Sequence, residues 1–286
     1  MSTTTTANTN TNTNTIYLVT GANRGIGRGL VDVILSRPNT TVIALVRDVE
    51  HETTRSLVST TADANVPTPK TLDPSHPDPD SNPNTNHVII IPYDASIPGS
   101  AETALTTLGS THGITHVDTV IANAGMLTKR GPSIDTAPSD IQESVQVNAI
   151  APLDLFRACL TLLSPPPSKF VAVSSAIGST QLIPQHSHSS TLAYGVSKAA
   201  LNHIMRKLSI EYPDMVVEVV TPGPVLTDLL RENKPEFDAM LKANPQLLER
   251  FVPIDKVCNG LMALIDSASS ETSGGFRDWS GEVIPF

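Results

Sequence analysis

The sequence predicts an α/β fold: a single Rossmann-type, doubly wound parallel sheet with helices on both faces. Three observations carry that expectation. From Thr15 onward, short β-branched runs alternate with helix-spaced segments, the pattern of successive βαβ units. The runs are almost continuously apolar, as strands are when helices cover both faces. A glycine-rich turn, "TGANRGIG" at 20–27, joins the first run to the first helical segment.

The elements follow in order. "IYLVT" is the first strand, and "GIGRGLVDVILS" has helical spacing; "TVIALV" is the second strand. "HVIIIPYD", "HVDTVIANAG", "KFVAVSS" and "VVEVVTPG" each read as a strand leading into a loop or helix. Residues 1–14 form a Thr/Asn-rich tail that cannot bury apolar surface and is expected to be disordered. Residues 60–86 hold six prolines and almost no large apolar side chains, and read as a flexible insertion. Residues 176–193 form a long loop. The expectation is one domain over 15–286.

The bulk properties exclude several classes. A net charge of -9 opposes nucleic-acid binding, which needs clustered Lys and Arg. No apolar run is long enough to cross a membrane, and the amino terminus has no secretory pattern. Cys159 and Cys258 form neither a metal nor a redox motif, so a reduced, cytoplasmic setting is expected.

The glycine turn supplies candidate phosphate-binding residues: Gly21, Asn23, Arg24, Gly25, Ile26 and Gly27. Glycines there permit a tight turn and let backbone approach a pyrophosphate at a helix N-terminus. At the end of the second strand a basic residue accommodates a 2′-phosphate and an acidic one holds a 2′-hydroxyl. The chain reads "IALVRD", so Arg47 with Arg24 favours NADP(H), while Asp48 keeps NAD open. Asp94 closes the third strand, as an adenine contact or a helix cap.

The chemical end is "TLAYGVSKAALNHIM", with Tyr194 and Lys198 four positions apart. On a helix such residues stack, about 5–6 Å apart at Cβ. A nearby ammonium would lower the tyrosine pKa and let the phenol protonate a carbonyl oxygen. Ser174 and Ser175 end one strand, and one of the two hydroxyls should face the ligand crevice. Asn123, Ala124 and Gly125 end another, where small residues let a cofactor lie close. Pro152 lacks an N–H, so the Asn148 carbonyl should lose its helical partner and be able to hold a water.

Over nearly all of 15–286 the chain resembles the short-chain dehydrogenase/reductase superfamily. The resemblance rests on "TGANRGIG", "NAG", the Asn148 segment, "VSS", "YGVSK" and "TPGPVLTD", in that order. It implies a catalytic tetrad of Asn148, Ser175, Tyr194 and Lys198: Tyr194 as acid/base, Ser175 orienting the carbonyl, Lys198 on the nicotinamide ribose, and Asn148 anchoring a relay water. Pro222, Gly223, Val225 and Thr227 would close over the nicotinamide. In one departure, Ser175 precedes Tyr194 by nineteen positions, where the family usually has about a dozen. Within the superfamily the chain looks closest to fungal ketoreductases of the norsolorinic acid ketoreductase type, through "IYLVTGANRGIGRGL", "AYGVSKAALNHIMRKL" and "ETSGGFRDWSGEVIPF".

The implied substrate is a small-molecule carbonyl compound held by loops near 126–137, 176–193 and 224–252. Leu226, Leu229, Leu230, Phe237, Met240 and Leu241 would make an apolar lid. His186 and His188 read as solvated loop residues, without the further ligands of a metal site. The resemblance allows a homo-oligomer, dimer or tetramer, or a monomer. Two functions fit: an NADPH-dependent ketone reductase, or a non-catalytic NADP-binding sensor on the same fold.

Overall fold

The computed structural model describes residues 14–59, 86–128, 130–163, 167–187, 189–231, 241–243 and 245–286. The Thr/Asn-rich tail up to residue 13, the insertion up to residue 85, His188, Phe237 and Met240 lie outside the described residues.

Seven parallel strands form one sheet in the order β3-β2-β1-β4-β5-β6-β7. They are β1 (Thr15–Thr20), β2 (Thr40–Val46), β3 (His87–Pro92), β4 (Thr119–Ala122), β5 (Lys169–Val173), β6 (Val216–Thr221) and β7 (Phe276–Asp278). The helices are α1 (Gly25–Leu35), α2 (Glu52–Ser59), α3 (Ser100–His112), α4 (Pro138–Val145), α5 (Ala151–Cys159), α6 (Leu192–Glu211), α7 (Asp228–Arg231) and α8 (Ile254–Ser267). The strand order reverses between β1 and β4, which opens a crevice at their carboxyl ends.

Alternation along each strand divides the core into two layers. Leu18, Ile43, Leu45 and Val120 pack with Leu105, Phe156, Leu201 and Met205. Tyr17, Val19, Val42 and Ala44 pack on the other face with Leu30, Ile34, Val257 and Leu261. The strands are buried on both faces, which is why they read as unbroken apolar runs.

Two features differ from the sequence reading. β7 is an additional edge strand, three residues long with no apolar run to announce it. Asn86, placed in the flexible insertion from composition, is buried. Its amide donates to the Leu35 and Arg37 carbonyls at 2.7 and 2.8 Å, and its Oδ1 accepts from Thr40 N at 3.0 Å. This side chain satisfies backbone groups left over where α1 turns into β2.

Candidate active site

The glycine turn leaves β1 with Gly21 N donating to Leu45 O at 2.8 Å. Gly21 and Gly25 have φ of +63° and +55°, a region that disfavours residues bearing Cβ. A Cβ on Gly27 would collide with the Gly21 carbonyl and the Asn123 amide. α1 then starts at Gly25 with no side-chain cap and no acidic residue in its first turn. Its leading N–H groups and positive dipole end suit an anion, so the cradle fits the pyrophosphate of a dinucleotide.

Neighbouring residues brace this cradle. Thr20 Oγ1 accepts from Asn123 N and Ala124 N at 2.9 and 2.8 Å, and the Asn123 amide donates to Thr20 O at 2.9 Å. Asn123 therefore ties β4 to β1, beyond the small-neighbour role expected of it. Asn23 is held by Thr53 and Thr54 Oγ1 at 2.8 and 3.2 Å, at the start of α2. Arg24 and Arg47 are both exposed. Asp48 Oδ1 accepts from Glu50 N at 2.9 Å, closing its own turn. Asp94 behaves similarly, its Oδ1 accepting from Ser96 N at 2.9 Å and Ser96 Oγ at 2.7 Å. Opposite the glycine turn, Thr227 would lie 3.7 Å from a Cβ on Gly25. Pro222 and Val225 are buried and Gly223 has φ +67°, so this segment bends back over the cradle. Leu226, Leu229, Leu230 and Leu241 are half-buried.

Ser175, Tyr194 and Lys198 converge next to it. Lys198 is buried and its Nζ donates to Val173 O, the end of β5, at 2.8 Å. It sits over the Tyr194 ring, 5.6 Å from the centroid. Ser175 hydrogen-bonds the Tyr194 side chain, whereas Ser174 turns inward and donates to Asn202 Oδ1 at 2.6 Å. Of the two serines, then, only Ser175 meets the phenol. The nineteen-residue separation is absorbed beyond Gly178, which packs directly on the Lys198 backbone.

Asn148 lies in a π turn, Gln146–Ile150, where Ala151 N donates to Gln146 O five residues back. The sequence pattern implies continuous α-helix here; Pro152 is instead accommodated by a register shift. The Asn148 side chain is buried and fully engaged. Its amide donates to Met126 O and Ser197 Oγ, both at 2.9 Å, and its Oδ1 accepts from Met126 N at 2.8 Å. Ser197 Oγ in turn donates to Tyr194 O at 2.7 Å. Gly125 lets Asn148 and Lys198 approach, since its Cβ would lie 3.1 and 3.7 Å from Oδ1 and Nζ.

The electrostatics correct one expectation. Tyr194 is not acidified: burial pushes its phenol up to about 12, opposed by the Ser175 hydrogen bond and by the charge of Arg130. Burial also drives Lys198 down to about 8. The ammonium lies over the ring face and is directed at a backbone carbonyl, so desolvation outweighs its pull on the hydroxyl. Arg130 is an addition to the expected site; a lone arginine in a loop carries no sequence signal. Ser197, three residues from Tyr194, is legible in the sequence only as a helix position.

Among the described residues no group of three or more His, Cys, Asp or Glu could hold a metal, and no helix is long and apolar enough to cross a membrane.

Comparison with known proteins agrees with this geometry. The family model described as enoyl-(acyl carrier protein) reductase matches residues 80–276. The norsolorinic acid ketoreductase of Aspergillus parasiticus is 34% identical over 262 residues, 91% of this chain and 86% of the relative. A short chain dehydrogenase of Penicillium aethiopicum, gsfK, is 34% identical over 271 residues, 93% and 97% of the two chains. The NADPH-bound carbonyl reductase from chicken fatty liver has a similar structure, with a TM-score of 0.75 and 26% identity over 96% of this chain and 99% of that one. With the sheet order, the glycine cradle and the Ser175–Tyr194–Lys198 cluster, these matches place the chain in the short-chain dehydrogenase/reductase superfamily of oxidoreductases.

Proposed function

We propose that the chain is an NADP(H)-dependent ketoreductase that reduces a carbonyl of a bulky apolar substrate, an aromatic polyketide ketone, to an alcohol. The observation that carries this reading is the Ser175–Tyr194–Lys198 cluster beside a glycine cradle at the carboxyl ends of β1, β4 and β5. The relative named as a norsolorinic acid ketoreductase supports the substrate class. The cofactor would be held by Gly21, Arg24, Gly25, Ile26 and Gly27, together with Ala124, Gly125 and Thr227. Bound NADPH supplies the hydride for the carbonyl carbon.

The protein's own residues handle the proton. A phenol at about 12 is fully protonated near neutrality, the form required of an acid. Tyr194 donates to the carbonyl oxygen, and Ser175 holds that oxygen and steadies its developing charge. Lys198 binds the ribose and stabilises the phenolate left behind. Asn148 acts through position, fixing the loop after β4 and, through Ser197, the first turn of α6. The sensor alternative gives no reason for a serine, a phenol and an ammonium to meet at the cofactor cleft. The test is loss of NADPH absorbance with a panel of bulky aryl ketones; binding without ketone-dependent oxidation defeats the reading.

Cofactor choice has its own test. Asp48 is turned onto Glu50 N, while Arg47 is exposed at the end of β2. Arg47→Glu is expected to weaken NADPH binding about 10- to 100-fold, as loss of a charge-assisted phosphate contact does, and leave NADH binding nearly unchanged. Fluorescence titration checks it; equal effects on both nucleotides would exclude a 2′-phosphate role for Arg47.

The pH profile follows from Lys198. Its ammonium, lowered to about 8, loses its proton as pH rises, well before Tyr194 does at about 12. Ketone reduction should therefore hold below that value and decline as pH climbs through it, although the phenol still carries its proton. A kcat/KM profile flat to about pH 10 would contradict this, because that ratio reports the enzyme before substrate binds.

A further inference from the structure

The segment that leaves Ser175 first lies against α6. A Cβ on Gly195, next to Tyr194, would stand 3.4 Å from the Ile177 carbonyl and side chain, and Gly178 packs on the Lys198 backbone. Farther along, Gly131 N donates to Ser190 O at 3.0 Å and pins the segment to the loop after β4. Between these anchorages, Thr180 Oγ1 and Gln181 N both donate to the main-chain O of Phe286, at 3.3 and 3.4 Å. Phe286 is itself held. After β7 the chain turns at Asp278, whose Oδ1 accepts from Ser280 N, Ser280 Oγ and Glu282 N at 2.9, 2.7 and 3.0 Å. It returns antiparallel, with Arg277 opposite Val283 and Ile284 N donating to Phe276 O at 2.8 Å. The Phe286 ring then rests on Phe276, with centroids 5.7 Å apart, and Phe276 is buried in the core. The returning segment thus ties the edge of the sheet to the segment after Ser175, across 106 positions of sequence.

Residues 180–187 bury little surface of their own. Thr180, Gln181, Ile183, Pro184 and Gln185 are exposed, so packing alone holds this stretch poorly and the external anchor decides where it stands. The two bonds to Phe286 are long and individually weak, which suits a role in position rather than in overall stability. A ketone of one ring can be held at Ser175 and Tyr194 alone, whereas one with several fused rings extends beyond them. We propose that Phe286 is a positioning residue for the substrate: by anchoring Thr180 and Gln181 to the sheet edge, it holds 180–187 as a wall that a large ketone touches and a small one does not. This rests on the ketoreductase reading and adds a determinant of substrate size.

The test compares wild type, Phe286→Ala, Phe286→Tyr, Thr180→Val and the double variant on acetophenone, with one ring, and 2-acetylanthracene, with three. Phe286→Ala should raise KM for 2-acetylanthracene about 5- to 20-fold, the scale of a ring contact plus a hydrogen bond. Its kcat for both ketones and its KM for acetophenone should change less than about twofold. Phe286→Tyr keeps the ring and should match wild type. Thr180→Val removes one bond and should raise KM for the large ketone about 2- to 5-fold. Added to Phe286→Ala it should change nothing more, because both act on one contact. Hydrogen exchange should quicken over 180–187 in Phe286→Ala and stay as in wild type in β5 and α6. Equal losses on both ketones, with exchange raised through the sheet, would make Phe286 a stability residue. Unchanged kinetics, or a lower KM for 2-acetylanthracene, would show that the wall does not hold the ketone; each of these results overturns the proposal. If wild type reduces neither ketone, the ketoreductase reading fails, and the fluorescence of 2-acetylanthracene titrated into the NADP+ complex decides separately: weaker binding in Phe286→Ala upholds the anchor, and equal binding sinks it.

Discussion

Tyr194→Phe is expected to lower ketone turnover about 10²- to 10⁴-fold, the contribution typical of a positioned general acid, with NADPH affinity and thermal midpoint nearly unchanged. The chain's contacts explain why the losses separate. The phenol is the group placed to deliver a proton, because Lys198 is directed at Val173 O and Ser175 Oγ accepts from the Ile177 N–H. The cradle of Gly21 to Gly27 is braced by Leu45 O and the Asn123 amide, so nucleotide affinity has no reason to follow the phenol. The fold is similarly indifferent. Ser197 bonds the Tyr194 carbonyl rather than its side chain, and Ser175 Oγ keeps the Ile177 N–H at 3.3 Å. Loss of one hydroxyl contact costs about 1 kcal/mol at most in such a setting. Turnover equal to wild type would defeat the proton-transfer assignment, and a large fall in melting temperature would show that Tyr194 is structural.

What the chain discloses in advance divides along a physical line. The six strands rich in apolar residues are legible because burial on both faces forces unbroken runs, and the glycine turn because φ near +60° at Gly21 and Gly25 selects glycine. The pairing of Tyr194 and Lys198 is legible from helical spacing alone. β7 is not, because three residues, Phe276–Asp278, gain strand geometry from pairing with β6 rather than from their own pattern. The choice between Ser174 and Ser175 depends on Asn202, a residue twenty-seven or more positions away. The sign of the Tyr194 shift depends on burial, which spacing does not report. The influence of Arg130 on Tyr194 depends on the fold, which joins its loop to the one before α6 through Gly131 N and Ser190 O. Contacts local in sequence are visible; those created by chain closure are not.

One substitution applied at two glycines should act in opposite senses. In Gly27→Ala the new Cβ falls on the Gly21 carbonyl and the Asn123 amide. Neither can yield cheaply. Gly21 is fixed by its bond to Leu45 O, and Asn123 is the clamp that holds β4 to β1 at Thr20. Overpacking of this kind typically costs about 1–3 kcal/mol and moves backbone, here the backbone that would receive the pyrophosphate. NADPH affinity should fall by more than about 100-fold if each displaced N–H contact to phosphate is a charge-assisted bond, and the thermal midpoint should drop by several degrees. In α3, Gly109 is exposed, and a Cβ added there would meet nothing within 4 Å. Gly109→Ala should add about 0.4–1 kcal/mol by restricting the unfolded chain, with nucleotide binding unchanged. Thermal melts and fluorescence titration of the two variants side by side distinguish cradle damage from a general effect of alanine. If Gly27→Ala binds NADPH as the wild type does, the glycine turn is not where the cofactor's phosphates rest, and the site must be sought elsewhere along the crevice.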